Sequence, residues 1–268
     1  LTYDRKMIDI IQPLINDIEA IGDKVYEKYR TDVKITKKDD DSPVTNVDIM
    51  VHQEMSESLS TYFPDIPIIS EEGHIPDEEK RKALESFFLL DPLDGTLDFI
   101  NETDEFVISL GLIQNLQPVM GILHHPVSGK TWVGIKDRGV FQKTSGTDLI
   151  PIQPYNNRDY YVILVSAYRN DDDLCSIIVR QREKELGKEV RIKPVGSALK
   201  FGYLADGIGD EYLRFTPMKE WDFSAGHCIA IELGAQILPL DPNQSIEYGS
   251  RDMLIPPISI RKPIKSAV

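Results

Sequence analysis

The short apolar runs of this chain change their order once, and that change constrains the fold more than any other feature. Through the first half they follow one another across tight turns. Strands are expected over 106–113, 119–124, 131–135 and 139–142, joined at Asn115-Leu116, Ser128-Gly129 and Asp137-Arg138-Gly139, which reads as a meander. From residue 161 the runs alternate with helix-length segments: strand 161–165, helix 172–185, strand 191–195, helix 197–205, strand 211–215, helix 222–233 and strand 236–240. That alternation is α/β order. A polar, Pro-containing connection over 151–158 separates the two regimes. The expected architecture is therefore a layered α/β (α+β) sandwich of two packed halves, 1–153 and 154–268.

Two helices precede the meander. Met7, Ile8, Ile11, Leu14, Ile15, Ile18, Ile21 and Val25 recur at helical spacing and give a long amphipathic first helix through Pro13. Val51, Met55 and Leu59 mark the inner stripe of a second helix over 48–62. Two further apolar runs, 66–69 and 87–90, each end directly in acidic residues.

Composition bears mainly on partners. A formal charge of −14 opposes attraction to nucleic acid polymers or anionic lipid, so an anionic substrate requires bound cations or a local basic patch. Cys175 and Cys228 form neither a disulfide framework nor a zinc pattern, consistent with a reducing compartment. No apolar stretch approaches the ~18 residues of a spanning helix, and the first residues are polar rather than signal-like. A cytoplasmic protein without an integral membrane segment is expected. Loose membrane association, and the choice between monomer and homodimer, stay open.

The segment Leu90-Asp91-Pro92-Leu93-Asp94-Gly95-Thr96 carries the most chemistry. An apolar strand runs into two aspartates separated by a rigid Pro and followed by Gly. Hard divalent cations take oxygen ligands, so Asp91, Asp94 and the Leu93 carbonyl are candidate ligands, while Gly95 and Thr96 offer backbone N–H groups to a phosphate. A plain surface turn has the same composition. Ser70-Glu71-Glu72-Gly73 repeats the theme, with one Glu placed to ligate and the other to hold a water, or both simply solvated. Asp222, in Trp221-Asp222-Phe223-Ser224-Ala225-Gly226, and Asp48, after Pro43-Val44-Thr45, each sit at a helix start, where a simple cap is the commoner reading of such a residue taken alone. His124, His125 and His227 show no transition-metal spacing and read as packing or surface residues.

Taken together, Ser70-Glu71-Glu72, Asp91-Pro92-Leu93-Asp94-Gly95-Thr96 and Trp221-Asp222-Phe223-Ser224-Ala225-Gly226 resemble, in order and spacing, the inositol monophosphatase superfamily. Four stretches are similar to its bacterial CysQ-type 3'(2'),5'-bisphosphate nucleotidases: Ser42-Pro43-Val44-Thr45, Gly196-Ser197-Ala198-Leu199-Lys200-Phe201, Tyr212-Leu213-Arg214-Phe215, and Pro217 ahead of Trp221. One departure stands out. Where those nucleotidases show Ser-Arg-Ser-His, this chain has Ser166-Ala167-Tyr168-Arg169, which displaces the basic residue to Arg169 and bears on nucleotide selectivity.

The resemblance implies an αβαβα sandwich and a magnesium-dependent, lithium-sensitive phosphatase. Glu71, Asp91, Asp94, Asp222 and the Leu93 carbonyl would hold two or three Mg2+ ions that activate a water. Thr96 would orient that water, with Asp48 accepting from its hydroxyl and Glu72 as second acceptor. Gly95, Thr96, Gly196, Ser197, Lys200, Arg214 and Asp222 would bind a small phosphorylated substrate, the last two cations serving a second phosphate. The implied substrate is adenosine 3',5'-bisphosphate or its sulfated form, with release of the 3'-phosphate. An inositol or sugar phosphatase shares every metal ligand. A catalytically silent metal-binding regulatory module is the alternative of another class.

Overall fold

A computed structural model describes residues 2–31, 33–38, 41–152, 158–168 and 172–263, with the backbone alone for 2–10. The side chains of Met7 and Ile8, most of the connection after residue 152, and Arg169 lie outside the described residues. The first half contains α1 (Thr2–Lys28), β1 (Ile35–Lys37), β2 (Pro43–Thr45), α2 (Asn46–Tyr62), β3 (Ile68–Ser70), α3 (Glu78–Ala83), β4 (Ser86–Asp94), α4 (Thr96–Ile100), β5 (Val107–Gln114), β6 (Gln117–His125), β7 (Lys130–Ile135), β8 (Gly139–Thr144) and β9 (Ile150–Pro151). The second contains β10 (Tyr160–Ser166), α5 (Asp172–Leu186), β11 (Glu189–Val195), α6 (Leu199–Ala205), β12 (Glu211–Arg214), β13 (Met218–Lys219), α7 (Glu220–Glu232), β14 (Gln236–Pro239), β15 (Leu254–Ile255) and β16 (Ile258–Arg261).

Strands β3 to β9 form one sheet in sequence order, as the meander requires, and only β3 runs parallel to its neighbour. The second sheet has the order β11-β10-β12-β16-β14. Its β10 is parallel to β11 and β12, the outcome of α/β order, whereas β16 is antiparallel to both β12 and β14.

Side-chain alternation along the strands assigns the layers. In β4, Phe88 and Leu90 join the cluster formed by α1 and α2, while Phe87 and Leu89 join the cluster that holds α6 and α7. In β10, Val162 and Leu164 face that same central cluster, while Tyr161, Ile163 and Val165 pack with Cys175 of α5 on the other side. Both sheets are thus apolar on both faces, and each face must be covered. The result is the αβαβα sandwich: α1 and α2, the first sheet, α6 and α7, the second sheet, then α5.

Helix α7 lies unusually close to the first sheet, and three glycines make this possible. Gly111, Gly121 and Gly134 are cross-strand neighbours in β5, β6 and β7. A Cβ on them would come within 2.3 Å of Ser224 Oγ, 2.1 Å of the Ala225 carbonyl oxygen and 2.8 Å of the Ile229 nitrogen. The row is a slot into which the helix backbone is seated. Among the described residues no helix is long and apolar enough to cross a membrane.

Candidate active site

Strand register delivers the first two acidic residues. β3 runs parallel to β4 with Ser70 beside Leu90, and the Glu71 amide donates to the Leu90 carbonyl at 3.1 Å. Glu71 and Asp91, each the next residue along, therefore stand side by side. At Pro92 the ladder with β5 is interrupted: Asp91 pairs with Ser109 but Asp94 pairs with Val107, so β4 carries one extra residue. A proline cannot donate to the ladder, which places the bulge there. Asp91 Oδ1 accepts the Leu93 amide at 3.1 Å inside this bulge. Gly95 follows at φ +94°, and a Cβ there would lie 3.0 Å from both the Glu105 carbonyl oxygen and Ser197 Cβ, so neither conformation nor space admits a side chain.

The third carboxylate arrives with α7. The Ser109 hydroxyl donates to the Trp221 carbonyl at 3.2 Å, which fastens the helix start to the strand that pairs with Asp91. Helix α7 begins at Glu220, two residues before the sequence-based start, so Asp222 is its third residue rather than its cap. Its Oδ2 accepts the Lys219 amide at 3.3 Å. One carboxylate oxygen from each of Glu71, Asp91 and Asp222 lies within 4.8 Å of the others. Asp94 stands beside this trio, and its Oδ2 accepts the Ala198 amide at 2.5 Å.

Asp48 is the third residue of α2 in a capping box. Thr45 donates to its Oδ2 through both amide, at 2.8 Å, and hydroxyl. The Thr96 hydroxyl lies 2.9 Å from Asp48 Oδ1 and 3.2 Å from the Leu93 carbonyl oxygen, and its single proton serves one of them at a time. Glu72 is not a partner of Thr96 here. It shares the Lys38 ammonium with Glu71, each ion pair at 2.5 Å.

Gly95, Thr96, Gly196, Ser197, Lys200 and Arg214, together with Glu71, Asp91, Leu93, Asp94 and Asp222, line one cavity of about 230 Å3, whereas Asp48 and Glu72 stand behind its wall. The β11–α6 turn that brings in the second half is pinned to the first: the Gly196 amide donates to Glu105 Oε2 at 2.7 Å. Lys200 is 3% exposed, and its ammonium donates to the Val195 and Ser197 carbonyls, so it holds this turn together from beneath. Arg214 donates to the Thr216 carbonyl at 3.1 Å and retains an edge toward the cavity.

The electrostatics are those of crowded anions. Burial, then Glu71, Asp94 and Asp222, push Asp91 well above the usual carboxylate range. Burial, then Asp94 and Glu71, do the same to Asp222. Burial raises Asp94 to about 6 against the opposing pull of Lys200. Burial lowers Lys200 to about 8. Asp48 is raised by burial in spite of its hydrogen bonds from Thr45 and Thr96. Buried carboxylates this close are stable as anions only beside positive charge, and the donors present are all oxygen. The set fits a hard divalent cation and does not fit a soft transition metal.

Tyr168, whose hydroxyl donates to Asp98, stands in the Ser166-Ala167-Tyr168-Arg169 stretch where the chain departs from the nucleotidase pattern. Sequence patterns did not single out Lys38, Asp98 or Glu105, all of which touch the site or its supports. Their only signal is proximity in the folded chain. His124 and His227 are packing residues: His124 donates or accepts with Thr131 Oγ1 at 2.9 Å, and His227 with the Tyr248 hydroxyl at 2.9 Å. Cys175 and Cys228 are buried, and neither forms a disulfide among the described residues.

Comparison with known proteins agrees with this geometry. Residues 8–263 match the model of the inositol monophosphatase family. A 3'(2'),5'-bisphosphate nucleotidase CysQ of Aggregatibacter actinomycetemcomitans is 32% identical over 250 residues, 92% of this chain and 90% of that protein. The crystal structure of CysQ from Bacteroides thetaiotaomicron superposes with a TM-score of 0.77 at 25% identity, covering 96% of this chain and 98% of that one. The fold is shared with an IMPase/NADP phosphatase crystallised with Mg2+ and phosphate, with a TM-score of 0.73 at 21% identity over 97% and 92% of the two chains. With its motifs, its layers and nearly its whole length accounted for in this way, the chain belongs to the inositol monophosphatase family of phosphatases.

Proposed function

We propose that this protein is a magnesium-dependent, lithium-sensitive phosphatase that releases the 3'-phosphate of adenosine 3',5'-bisphosphate and of its sulfated form. The observation that carries this reading is the trio Glu71, Asp91 and Asp222, with ligand atoms within 4.8 Å of one another, on the floor of a cavity that also contains Lys200 and Arg214. Its relatives' names as CysQ nucleotidases support the substrate class.

In this reading Glu71, Asp91, Asp94, Asp222 and the Leu93 carbonyl hold two or three Mg2+ ions, which supply positive charge for the phosphate and acidify water. Thr96 accepts a hydrogen bond from the attacking water while donating its own proton to Asp48 Oδ1, the partner at 2.9 Å. Glu72 contributes through the charge it shares with Lys38, since that is its contact. Arg214 supplies fixed positive charge to the second phosphate, and Gly95, Thr96, Gly196 and Ser197 frame the first. The two halves, 1–153 and 154–268, then divide the work, most of the carboxylates coming from one and Asp222 with the substrate cations from the other.

The test is phosphate release with Mg2+ from adenosine 3',5'-bisphosphate, inositol 1-phosphate and fructose 1,6-bisphosphate side by side, with and without Li+. Preference for the nucleotide, lost on Arg214→Ala, is the expected result. Preference for inositol 1-phosphate keeps the metal chemistry and discards the nucleotide assignment. Release from none of them rejects the enzyme reading.

A further inference from the structure

The cavity has two chemically different ends. Its floor is the carboxylate cluster, but its lining also includes two of the chain's exposed large apolar residues, Tyr168 at 50% and Leu97 at 45% exposure. A substrate consisting only of phosphates and hydroxyl groups has no use for such a rim, and apolar surface left open beside a polar floor marks a place where something apolar is meant to lie.

Tyr168 is also held in place. Its hydroxyl donates to Asp98 Oδ1 at 2.9 Å, and Asp98 is only 3% exposed, in the first turn of α4 directly after the acidic loop. Asp98 Oδ1 also accepts from the Thr103 hydroxyl at 2.7 Å, so the acceptor is itself fixed. The Tyr168 amide donates to Ser166 Oγ at 3.4 Å, which turns the chain back toward the end of β10. The polar tip of the ring is thus satisfied against the protein and the ring remains half-exposed at the cavity. A tyrosine loses little conformational entropy when used as a platform, and here that loss is already incurred by the tether.

We propose that Tyr168 is a specificity-determining residue of this site, a platform on which the planar base of a nucleotide substrate stacks while its phosphate lies on the carboxylate floor. Leu97 covers the same moiety as a second apolar contact. The inference rests on the nucleotide reading above and deepens it. Its selectivity comes from an aromatic face, which any base offers, so it favours nucleotides over sugar and inositol phosphates without choosing strongly among bases.

Two measurements separate this inference from the reading beneath it. In the first, kcat and KM for adenosine 3',5'-bisphosphate and for ribose 3,5-bisphosphate, which lacks the base, are compared in wild type, Tyr168→Ala and Tyr168→Phe. The Ala variant is expected to raise KM for the nucleotide roughly 5- to 100-fold, the loss of one base–aromatic stack, and to collapse the preference over the base-free substrate by that factor. The Phe variant, which keeps the face and loses the tether, restores most of it. An Ala variant with nucleotide KM within twofold of wild type, or with both substrates weakened alike, overturns the inference. In the second, saturation-transfer NMR with adenosine 5'-monophosphate needs no turnover. Saturation of the adenine protons that disappears in Tyr168→Ala supports the platform even if the hydrolytic assignment fails, and saturation unchanged in that variant overturns it.

Discussion

Replacing Gly121 by alanine tests whether the seating of α7 positions the site. A Cβ at Gly121 would lie 2.1 Å from the Ala225 carbonyl oxygen and 2.8 Å from the Ala225 Cα, against an ordinary contact beginning at 3.4 Å. The helix backbone must therefore move about 1.3 Å, and it is hemmed in on either side by the equally close approaches at Gly111 and Gly134. Overpacking of this kind costs roughly 1–3 kcal/mol. For a chain of this size each kcal/mol lowers Tm by about 2–4 °C. Asp222 lies three residues before Ala225 on the same helix, so its carboxylate shifts relative to Glu71 and Asp91, and a misplacement near 1 Å costs about 10²-fold in rate. Thermal melts, Mg2+ titration calorimetry and phosphate release on Gly121→Ala should show all three losses. Gly139→Ala is the control: φ is +92° with nothing within 4 Å, so it carries only backbone strain of about 1–2 kcal/mol and full turnover. A Gly121→Ala protein with lowered Tm but wild-type Mg2+ affinity and turnover would refute the link between the slot and the site.

Thr96→Ala is expected to lower kcat by about 10²–10⁴ with KM changed little, and Thr96→Ser to recover much of it, because the hydroxyl and its Asp48 partner are retained; steady-state kinetics that show an active Ala variant remove Thr96 from the chemistry. Lys200→Met leaves the buried Val195 and Ser197 carbonyls and Asp94 without their cation, so Tm should fall by an amount corresponding to about 2–4 kcal/mol; an unchanged melt with a raised KM would place the ammonium on the substrate instead. Asp91 and Asp222, held well above the reference 3.8, and Asp94 at about 6 bind extra protons in the folded state, so without metal their contribution to stability is fully present below about pH 4 and is lost as pH rises, that of Asp94 through about 6 and that of Asp91 and Asp222 through their own raised values. Mg2+ must displace those protons, and the stabilisation it gives over EDTA, read from paired melts, should grow from pH 4 to 7; a gap that shrinks over that range contradicts the assignment of these residues as ligands.

Much of this fold is legible in the sequence because its long elements have unambiguous periods. The two buried faces of β4 and β10 show as unbroken apolar runs, and the inner stripe Val51, Met55 and Leu59 shows as spacing along α2. The elements that escape such reading are short. Strands β1 and β2 have 3 residues each, α4 has 5, and β13 and β15 have 2 each, too few for any period to register. Strand β16 escapes for another reason: its 4 residues, Ile258–Arg261, follow Pro256-Pro257, and it enters the sheet antiparallel, against the α/β order that precedes it. The glycine slot is hidden because Gly111, Gly121 and Gly134 fall in three different strands, and only the register aligns them.

The site was legible where ligand candidates fall at strand ends, and ambiguous where they fall at helix starts. For Asp48 and Asp222 the sequence offers two roles, cap or site, as if they excluded each other. The structure removes that opposition. Each is the third residue of its helix, and each gives Oδ2 to the backbone amide of the residue before the helix, Thr45 at 2.8 Å and Lys219 at 3.3 Å. A carboxylate has two oxygens, and binding one of them to a cap fixes where the other points. Asp48 thereby presents Oδ1 to Thr96, and Asp222 is held in line with Glu71 and Asp91. In this fold the capping bond is the means by which a flexible acid becomes an oriented one, so a site carboxylate at a helix start should display a cap geometry rather than lack one.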